Sequence, residues 1–461
     1  METVNKTKRS IFNMKVNMTE GPLLKNYLLY TLPFIVSLLI QNTYNAADMI
    51  ILGQFASETA VAAVGATSSI TSLVVNLFIG FAVGYNIVIV RLFGEKDKDG
   101  LKRANSTALI LSLSVGIALM LLGLVFAEPL LRLVKCPESI LADAAVYARI
   151  YFLSLPATMF FNHFSSLIKA TGDSVTGVYY LIVSAITNIV LNLLFVVVFK
   201  MPVAGVAIAT TASIYVTAIL CFIKVVRAEG LGRLELSGVR FSFDTFKKLV
   251  KYGIPSSITS VASSLVGLLG SSVRNSFGEQ VVASVTAKNS IFTLLFGPCY
   301  CFSSALTSFM GQNMGARNKE RALRVRRYAY TCAGVSSILF TAFMFVFRYW
   351  LISLYLPDSP EALEVGVRCI EFAIIPGLTT GIHQIANASL MSLGKSGVVM
   401  ASSLSTSVAF VAVWYLFIFP INPTIDMMLL LSPINAILGL CALVFEFVFI
   451  RRYKNGEQFN L

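Results

Sequence analysis

LYTLPFIVSLLIQNTYNAADMIILG, residues 29–53, carries a single charged side chain, Asp48, and is otherwise apolar or neutral. A helix rises about 1.5 Å per residue, so roughly 20 apolar residues cross the ~30 Å hydrocarbon core of a bilayer. This stretch is long enough to do so. Working outward from it, eleven more such segments follow: 61–91, 104–128, 145–170, 175–199, 202–226, 249–276, 283–310, 325–353, 365–393, 396–420 and 427–450. They are long and continuously apolar, whereas the strands of a membrane barrel are short and alternate. Composition agrees: 56% of residues are hydrophobic, 13% are charged and mean hydropathy is +0.77, against about 25% charged in soluble domains. The expected fold is an all-α polytopic membrane protein with twelve transmembrane helices.

The net charge of +13 does not point to nucleic acid, because the bases lie in short segments between apolar runs. Residues 92–103 hold Lys96, Lys98, Lys102 and Arg103, and residues 311–327 hold Arg317, Lys319, Arg321, Arg324, Arg326 and Arg327. The alternate loops carry acids: Glu58, Glu138, Asp358, Glu361 and Asp426. The positive-inside rule then places both termini in the cytoplasm of a multi-pass cell-membrane protein. Residues 1–28 are polar and basic, without the short apolar core of a signal peptide, so the first span is read as retained. Cys221, Cys299, Cys301, Cys332 and Cys441 sit in apolar runs, and no CxxC pair occurs. They read as small buried hydrophobes, with neither disulfides nor a metal site expected.

The chain repeats. A polar stretch, 227–248, separates six spans from six, giving an N-lobe at 29–226, a linker, a C-lobe at 249–450 and a tail at 451–461. Pro33 opens the first span and Pro255 the seventh. Gly94 with GEKDKDGLKRA matches Gly315 with GARNKERALRV. Pro156 and His163 match Pro376 and His383, and both spans end in glycine turns at Gly172 and Gly394. Two six-helix lobes joined by a cytoplasmic linker are a transporter design, with a substrate path expected between lobes that rock to alternate access.

Several segments carry a specific likeness: EGPLLKNYLLYTLPFIVSLLIQNTYNAADMIILGQF and VAAVGATSSI in the first two spans, ITNIVLNLLFVVVF in the fifth, AGVAIATTAS in the sixth and GQNMGARNKERA in the second half. In order and spacing the chain resembles the bacterial multidrug and toxic compound extrusion (MATE) transporters, from about Glu20 through the last span. The resemblance implies a helix-bending proline at Pro33, an essential membrane carboxylate at Asp48, and cation-site residues at Asn188, Asn192 and Thr210. The position of Asn192 is usually Asp in these relatives, which removes one negative charge from the implied site.

The same residues make physical sense alone. An ionised carboxylate at a helix centre costs about 2.5–3.5 kcal/mol on insertion scales. Asp48 therefore needs a partner or a water-filled cavity, and it can take up a proton or bind a cation. Gln41, Tyr44 and Asn45 share its helix face and are substrate or cavity candidates. Asn188 and Asn192 stack one turn apart, with Ser184 extending the face; their amide oxygens suit Na⁺ or a protonated Asp48. The blander readings are an Asp48 satisfied by neighbouring hydroxyls and amides that only bind helix to helix. Pro33 and Pro255 are hinge candidates or fixed bends. His163 and His383 read as a proton relay or as neutral histidines bonded within the bundle. Glu371 lies near the outer end of its span, as a cation lure or a surface acid, and Glu446 near the inner surface. Arg274 and Lys288, near the outer ends of spans seven and eight, count against a purely cation-loving path. The first span of the second lobe has no acid where Asp48 maps, so ion coupling is expected in the N-lobe only.

No phosphate loop, zinc spacing, nucleophile elbow or dinucleotide fingerprint occurs, so no enzyme and no cofactor is expected. The reading is a secondary multidrug antiporter exporting amphipathic organic cations against inward H⁺ or Na⁺, acting as a monomer in the lipid bilayer. The alternatives are a flippase for a lipid-linked cell-envelope precursor, which needs bases deep in its cavity, and a non-transporting scaffold or receptor, which needs neither Asp48 nor the repeat.

Overall fold

The computed structural model describes residues 15–134, 136–235, 237–357 and 359–456; within these ranges the side chains of residues 44–50, Glu58, Ser69, Leu268, Leu269 and Ser272 lie outside the description. The first half runs through α1 (Leu23–Phe55), α2 (Glu58–Glu95), α3 (Lys98–Leu133), α4 (Glu138–Phe152), α5 (Leu155–Ala170), α6 (Val175–Asn192) and α7 (Pro202–Val226). The second has α8 (Phe243–Asn275), α9 (Glu279–Gly315), α10 (Lys319–Val346), α11 (Arg348–Ser353), α12 (Pro360–Phe372), α13 (Ile374–Ser392), α14 (Ser396–Ser403), α15 (Phe410–Val413), α16 (Ile425–Gly439) and α17 (Cys441–Lys454). No β-ladder forms among the described residues beyond an isolated bridge between Lys15 and Asp173.

Each expected span falls on a helix or a broken helix. Nine helices among the described residues are long and apolar enough to cross a membrane, or eleven if each of two bent pairs is one span. The serine-rich α8 falls outside that count. The helices overrun the apolar runs that announced them. α2 continues to Glu95 and α9 to Gly315, because hydrogen bonding persists past the hydrocarbon until a cap stops it. Side chains such as Val125, Val346, Leu416, Phe417 and Val444 are all at least 65% exposed. So apolar an exterior has lipid as its natural solvent.

The repeat extends to single residues. Lys96 and Arg317 both take the left-handed conformation, each at φ 56°. The next residues, Asp97 and Asn318, each cap the following helix: Asp97 Oδ1 accepts from Gly100 N–H at 2.8 Å and Asn318 Oδ1 from Arg321 N–H at 3.1 Å. Spans four and ten are the two bent pairs. α4 and α5 meet at 41°, and α12 and α13 at 43°. Pro156 and Pro376 open the second member of each pair, where a missing N–H costs nothing.

The chain forms two compact units. One holds the chain up to Thr71 together with Leu92–Phe246; the other holds Ser72–Arg91 with the chain from Lys247 onward. The crossing near 246 falls within the polar stretch at 227–248, but α2 is shared, its middle belonging to the second unit. Small residues explain that allegiance. A Cβ on Gly80 would lie 2.2 Å from Ser257 Cα, and one on Gly84 would lie 2.4 Å from Gly253 Cα. Gly80-xxx-Gly84 thus crosses Gly253-xxx-Ser257 backbone on backbone, as small-xxx-small pairs do in membranes. Ser257 Oγ donates to Leu77 O at 2.9 Å, and Asn76 Nδ2 donates to Ser264 Oγ at 2.8 Å, which fixes the register.

In the first unit α1 packs along α6, α3 lies against α4 and α5, and α7 closes on α4, α5 and α6. The chain before α1 is pinned: Val16 N–H donates to Gly172 O at 3.0 Å, Tyr30 Oη donates to Lys169 O at 2.9 Å, and Met18 is buried. Gly172 holds φ +82°, and a Cβ there would stand 2.1 Å from Val16 O, so only glycine makes this turn. In the linker, Lys102 Nζ and Glu235 Oε2 pair at 2.7 Å, and the Lys102 hydrogen bond holds the Glu235 carboxyl below its ordinary range. In the second unit α9, α10 and α13 form the core, with α12, α16 and α17 around it.

Candidate functional site

The fifth and sixth spans, α6 and α7, bring the expected polar residues together. Asn188 and Asn192 are fully buried, and Thr210 is nearly so. Asn192 Nδ2 donates to Asn188 Oδ1 at 3.2 Å, and Asn188 Nδ2 donates to Thr210 Oγ1 at 3.5 Å. The chain of contacts continues behind them. Ser213 Oγ donates to Thr210 O at 2.8 Å, while Ser184 Oγ and Thr217 Oγ1 both donate to Ser213 O, at 3.0 and 2.9 Å. Three candidates therefore form one buried cluster, with Ser213 and Thr217 as unforeseen members. Spacing alone shows a hydroxyl stripe on α7 but not which helix it faces.

Immediately after Asn192 the helix widens into a π-helical segment, Leu193–Val198. Such segments are uncommon and gather at functional sites. Its last amide, Phe199 N–H, reaches back to Leu194 O at 3.0 Å. α1, the helix bearing Asp48, packs against both α6 and this segment. The side chains of Asp48, Tyr44 and Asn45 lie outside the described residues. Gln41 is exposed, and among the described residues no hydrogen bond joins it to the cluster. Amide oxygens, hydroxyls and backbone carbonyls are hard oxygen donors, the set that Na⁺ or a protonated carboxyl takes.

At the spacing that relates Pro33 to Pro255, Asp48 maps onto Gly270, Asn188 onto Phe410 and Asn192 onto Trp414. The second unit repeats the π-helical segment there, at Trp414–Ile418, but lines it with rings: Phe410 and Trp414 pack with centroids 5.9 Å apart. The amide pair belongs to one unit only.

Pro33 and Pro255 lie inside continuous helices, α1 and α8. On α1 Tyr27, Tyr30 and Thr31 are buried before Pro33, none is buried from Leu32 to Thr43, and Ile51 and Leu52 are buried again near the helix end. His163 is buried beside Phe164, and His383 Nε2 lies 3.1 Å from Asn387 Nδ2, one turn on in the same helix. Glu371 pairs with Arg348 at 3.4 Å. Glu446 finds its partner across the bundle. Arg326 clamps it through Nε at 2.5 Å and Nη2 at 2.7 Å, and Tyr330 Oη donates to it at 2.9 Å. All seven cysteines are free thiols, and no group of His, Cys, Asp and Glu among the described residues could hold a metal ion.

An all-helical membrane protein built of two repeated lobes, with a polar cluster buried in one of them, has the design of a transporter. Comparison with known proteins agrees. Residues 33–194 and 255–416, segments that begin at Pro33 and Pro255, each match the MatE family. The chain is 27% identical over 377 residues, 79% of its length and 80% of the relative's, to the probable multidrug resistance protein YoeA of Bacillus subtilis (strain 168). To the multidrug export protein MepA of Staphylococcus aureus (strain NCTC 8325 / PS 47) it is 20% identical over 380 residues, 82% and 83% of the two chains. Among solved structures, an outward-facing multidrug resistance MATE family transporter of the MOP superfamily superposes with a TM-score of 0.88, covering 96% of this chain and 99% of that one at 22% identity. A MATE in the bent conformation gives 0.88 over 95% and 98% at 22% identity. The chain belongs to the MatE family of transporters.

Proposed function

We propose that this transporter is a multidrug antiporter, exporting amphipathic organic cations in exchange for inward H⁺ or Na⁺ by alternating access. The observation that carries the reading is the buried Asn188–Asn192–Thr210 cluster beside a π-helical segment, on the helix against which the Asp48 helix packs. Similarity to the probable multidrug resistance protein YoeA and the multidrug export protein MepA supports drug export. The protein works in the cell membrane as a monomer, with both termini in the cytoplasm.

In this mechanism the ion enters from outside and occupies the Asp48 region, favouring a state of lower drug affinity. Coupling needs that difference in affinity between states. Building a hundredfold drug gradient requires about 2.8 kcal/mol, and one inward charge supplies about 2.3 kcal/mol per 100 mV. One-for-one exchange of monovalent cations moves no net charge, so it runs on the chemical gradient alone or takes more than one ion.

The test is ethidium efflux from proteoliposomes, wild type against Asp48→Asn, under proton and Na⁺ gradients imposed separately. Efflux by wild type and none by Asp48→Asn is expected, and the gradient that works names the ion. Equal efflux by the variant removes Asp48 from the coupling site. No efflux of any organic cation offered overturns the drug-export reading in favour of a lipid-precursor flippase.

A further inference from the structure

Along α17, Phe445, Val448, Phe449 and Arg452 follow at spacings of three, one and three residues and share one face of the helix. Phe445, Val448 and Arg452 are exposed, and Phe449 is partly so. The inward face holds Glu446 and Ile450, both buried, and Glu446, the only acid of α17, is clamped by Arg326. An exposed apolar stripe thus ends in a cation. A second cation joins it from another segment. Lys395 sits in the turn between α13 and α14, its Nζ 4.9 Å from the centroid of the Phe449 ring, and the Arg452 guanidinium stands 5.8 Å from the same centroid. The backbone fixes Lys395 in that place. Gly394 takes φ +73°, Lys395 N–H donates to Leu390 O at 2.9 Å, and Lys395 O accepts from Val398 N–H at 3.0 Å.

At the equivalent place the first unit is built differently. At the spacing that relates Gly172 to Gly394, Lys395 maps onto Asp173, Glu446 onto Lys224 and Phe449 onto Arg227. There the turn residue is a buried acid that spends its charge inward. Asp173 Oδ1 accepts from Thr176 N–H at 3.0 Å, Oδ2 accepts from Thr176 Oγ1 at 2.7 Å, and Lys224 Nζ lies 3.4 Å from Oδ2. The second unit exchanges the signs: its acid is taken by Arg326, and its turn cation stands against a ring beside the exposed stripe. The general excess of bases at one membrane face accounts for Arg452. It does not account for Lys395 meeting Arg452 on one ring, in one unit only. A ring attracts both cations but does not offset the repulsion between them, whereas an anion placed there does.

We propose that Lys395, Arg452 and Phe449 form a binding site for an anionic phospholipid, its phosphate at the two cations and its acyl chains along Phe445 and Val448. A phosphodiester offers the charged acceptor that guanidinium and ammonium donors bond most strongly, and its hydrocarbon covers the stripe. Phosphatidylcholine carries the same phosphate with a cation of its own beside it, so the site favours a lipid of net negative charge. Its occupation ties the turn after α13 to the end of α17. The site concerns the bilayer and not the cargo, and it stands whether or not the protein exports drugs.

The experiment is native mass spectrometry of the purified transporter titrated with phosphatidylglycerol and with phosphatidylcholine of the same chain length. Each base near an anionic lipid is worth about fivefold in affinity. Wild type is expected to bind phosphatidylglycerol the more tightly. Lys395→Gln/Arg452→Gln is expected to bind it at least about fivefold more weakly than wild type and to bind phosphatidylcholine equally. Arg227→Gln, at the first unit's equivalent of Phe449, removes a base without touching the site and is expected to bind both lipids as wild type does. Melting in phosphatidylcholine nanodiscs shows whether each variant is folded. Should the double variant fail that check, Arg452→Glu, a change at an exposed position, carries the test and is expected to lose the preference for phosphatidylglycerol. The proposal is overturned if the folded site variant keeps the wild-type affinity for phosphatidylglycerol. It is overturned equally if Arg227→Gln weakens binding as much, because the charge of the whole membrane face then attracts the lipid. Displacement of the lipid by an equal concentration of soluble glycerophosphoglycerol would make the ligand a free phosphate ester and overturn the lipid assignment.

Discussion

Asn192 and Trp414 hold the same position in the two halves of the repeat, each fully or almost fully buried where its span turns π-helical. One half puts an amide there, bonded to Asn188. The other puts an indole tilted against Phe410. The two halves share the backbone irregularity and differ in the chemistry placed on it.

Substituting Asn192 tests the first lobe. Asn192→Leu leaves Asn188 Oδ1 without the donor it has at 3.2 Å. An orphaned buried acceptor costs about 1–3 kcal/mol, so the melting temperature should fall. Asn192→Asp introduces the carboxylate that the family resemblance implies at this position. A buried charge needs a counter-cation or a proton, so this variant should be stabilised by Na⁺ over choline, or by lowered pH, more than wild type. Melts in the two salts across pH check it, and equal curves for both proteins would contradict a cation-responsive cluster.

The crossing of α2 and α8 predicts sharp intolerance. Gly84→Ala puts a methyl 2.4 Å from Gly253 Cα, and backbone cannot swing aside as a side chain can. Overpacking of this sort costs about 1–3 kcal/mol or more. Gly267→Ala, in the same α8 but with nothing within 4 Å of its Cβ, serves as control. Yield and melting temperature should fall for the first and hold for the second.

The Arg326–Glu446–Tyr330 cluster joins α10 to α17 inside the second unit. Removing one partner of a buried pair strands the other's charge and costs about 3–5 kcal/mol, whereas replacing both with apolar residues is often near neutral. Glu446→Leu should therefore melt far earlier than wild type, and Arg326→Met/Glu446→Leu should recover most of the loss. A double variant no better than Glu446→Leu would show that the pair fixes the α10–α17 geometry itself.

Acid should loosen the linker. Lys102 lowers the Glu235 pKa in the folded protein, so this pair stabilises the fold above the unfolded carboxyl value of about 4.3 and stops doing so as pH falls through the lower folded value. The pair is exposed and its effect is local and small. Limited proteolysis within 227–248 by an acid-active protease should quicken as pH drops toward and below 4.3, and Glu235→Gln should be equally fast throughout.

Much of this protein is written in one dimension. A run such as 29–53 crosses a membrane because of its length and apolarity, whatever its neighbours. The matched prolines, glycine turns and basic loops disclosed two lobes because duplicated segments repeat their own local signals: Asp97 and Asn318 cap their helices using only residues within one turn. The gathering of Asn188, Asn192 and Thr210 was implied by family likeness, yet their hydrogen bonds depend on how α7 is rotated against α6. Glu446 illustrates the rest. Its sequence neighbours Arg451 and Arg452 lie one turn away, but its partners are Arg326 and Tyr330, more than 100 residues back. The middle of α2 joins the second unit because Gly80 and Gly84 meet Gly253 and Ser257. Apolarity and local caps act within a few residues and so can be read along the chain. Partner choice between helices is settled by close packing and the pairing of buried polar groups, which exist only once the helices have met.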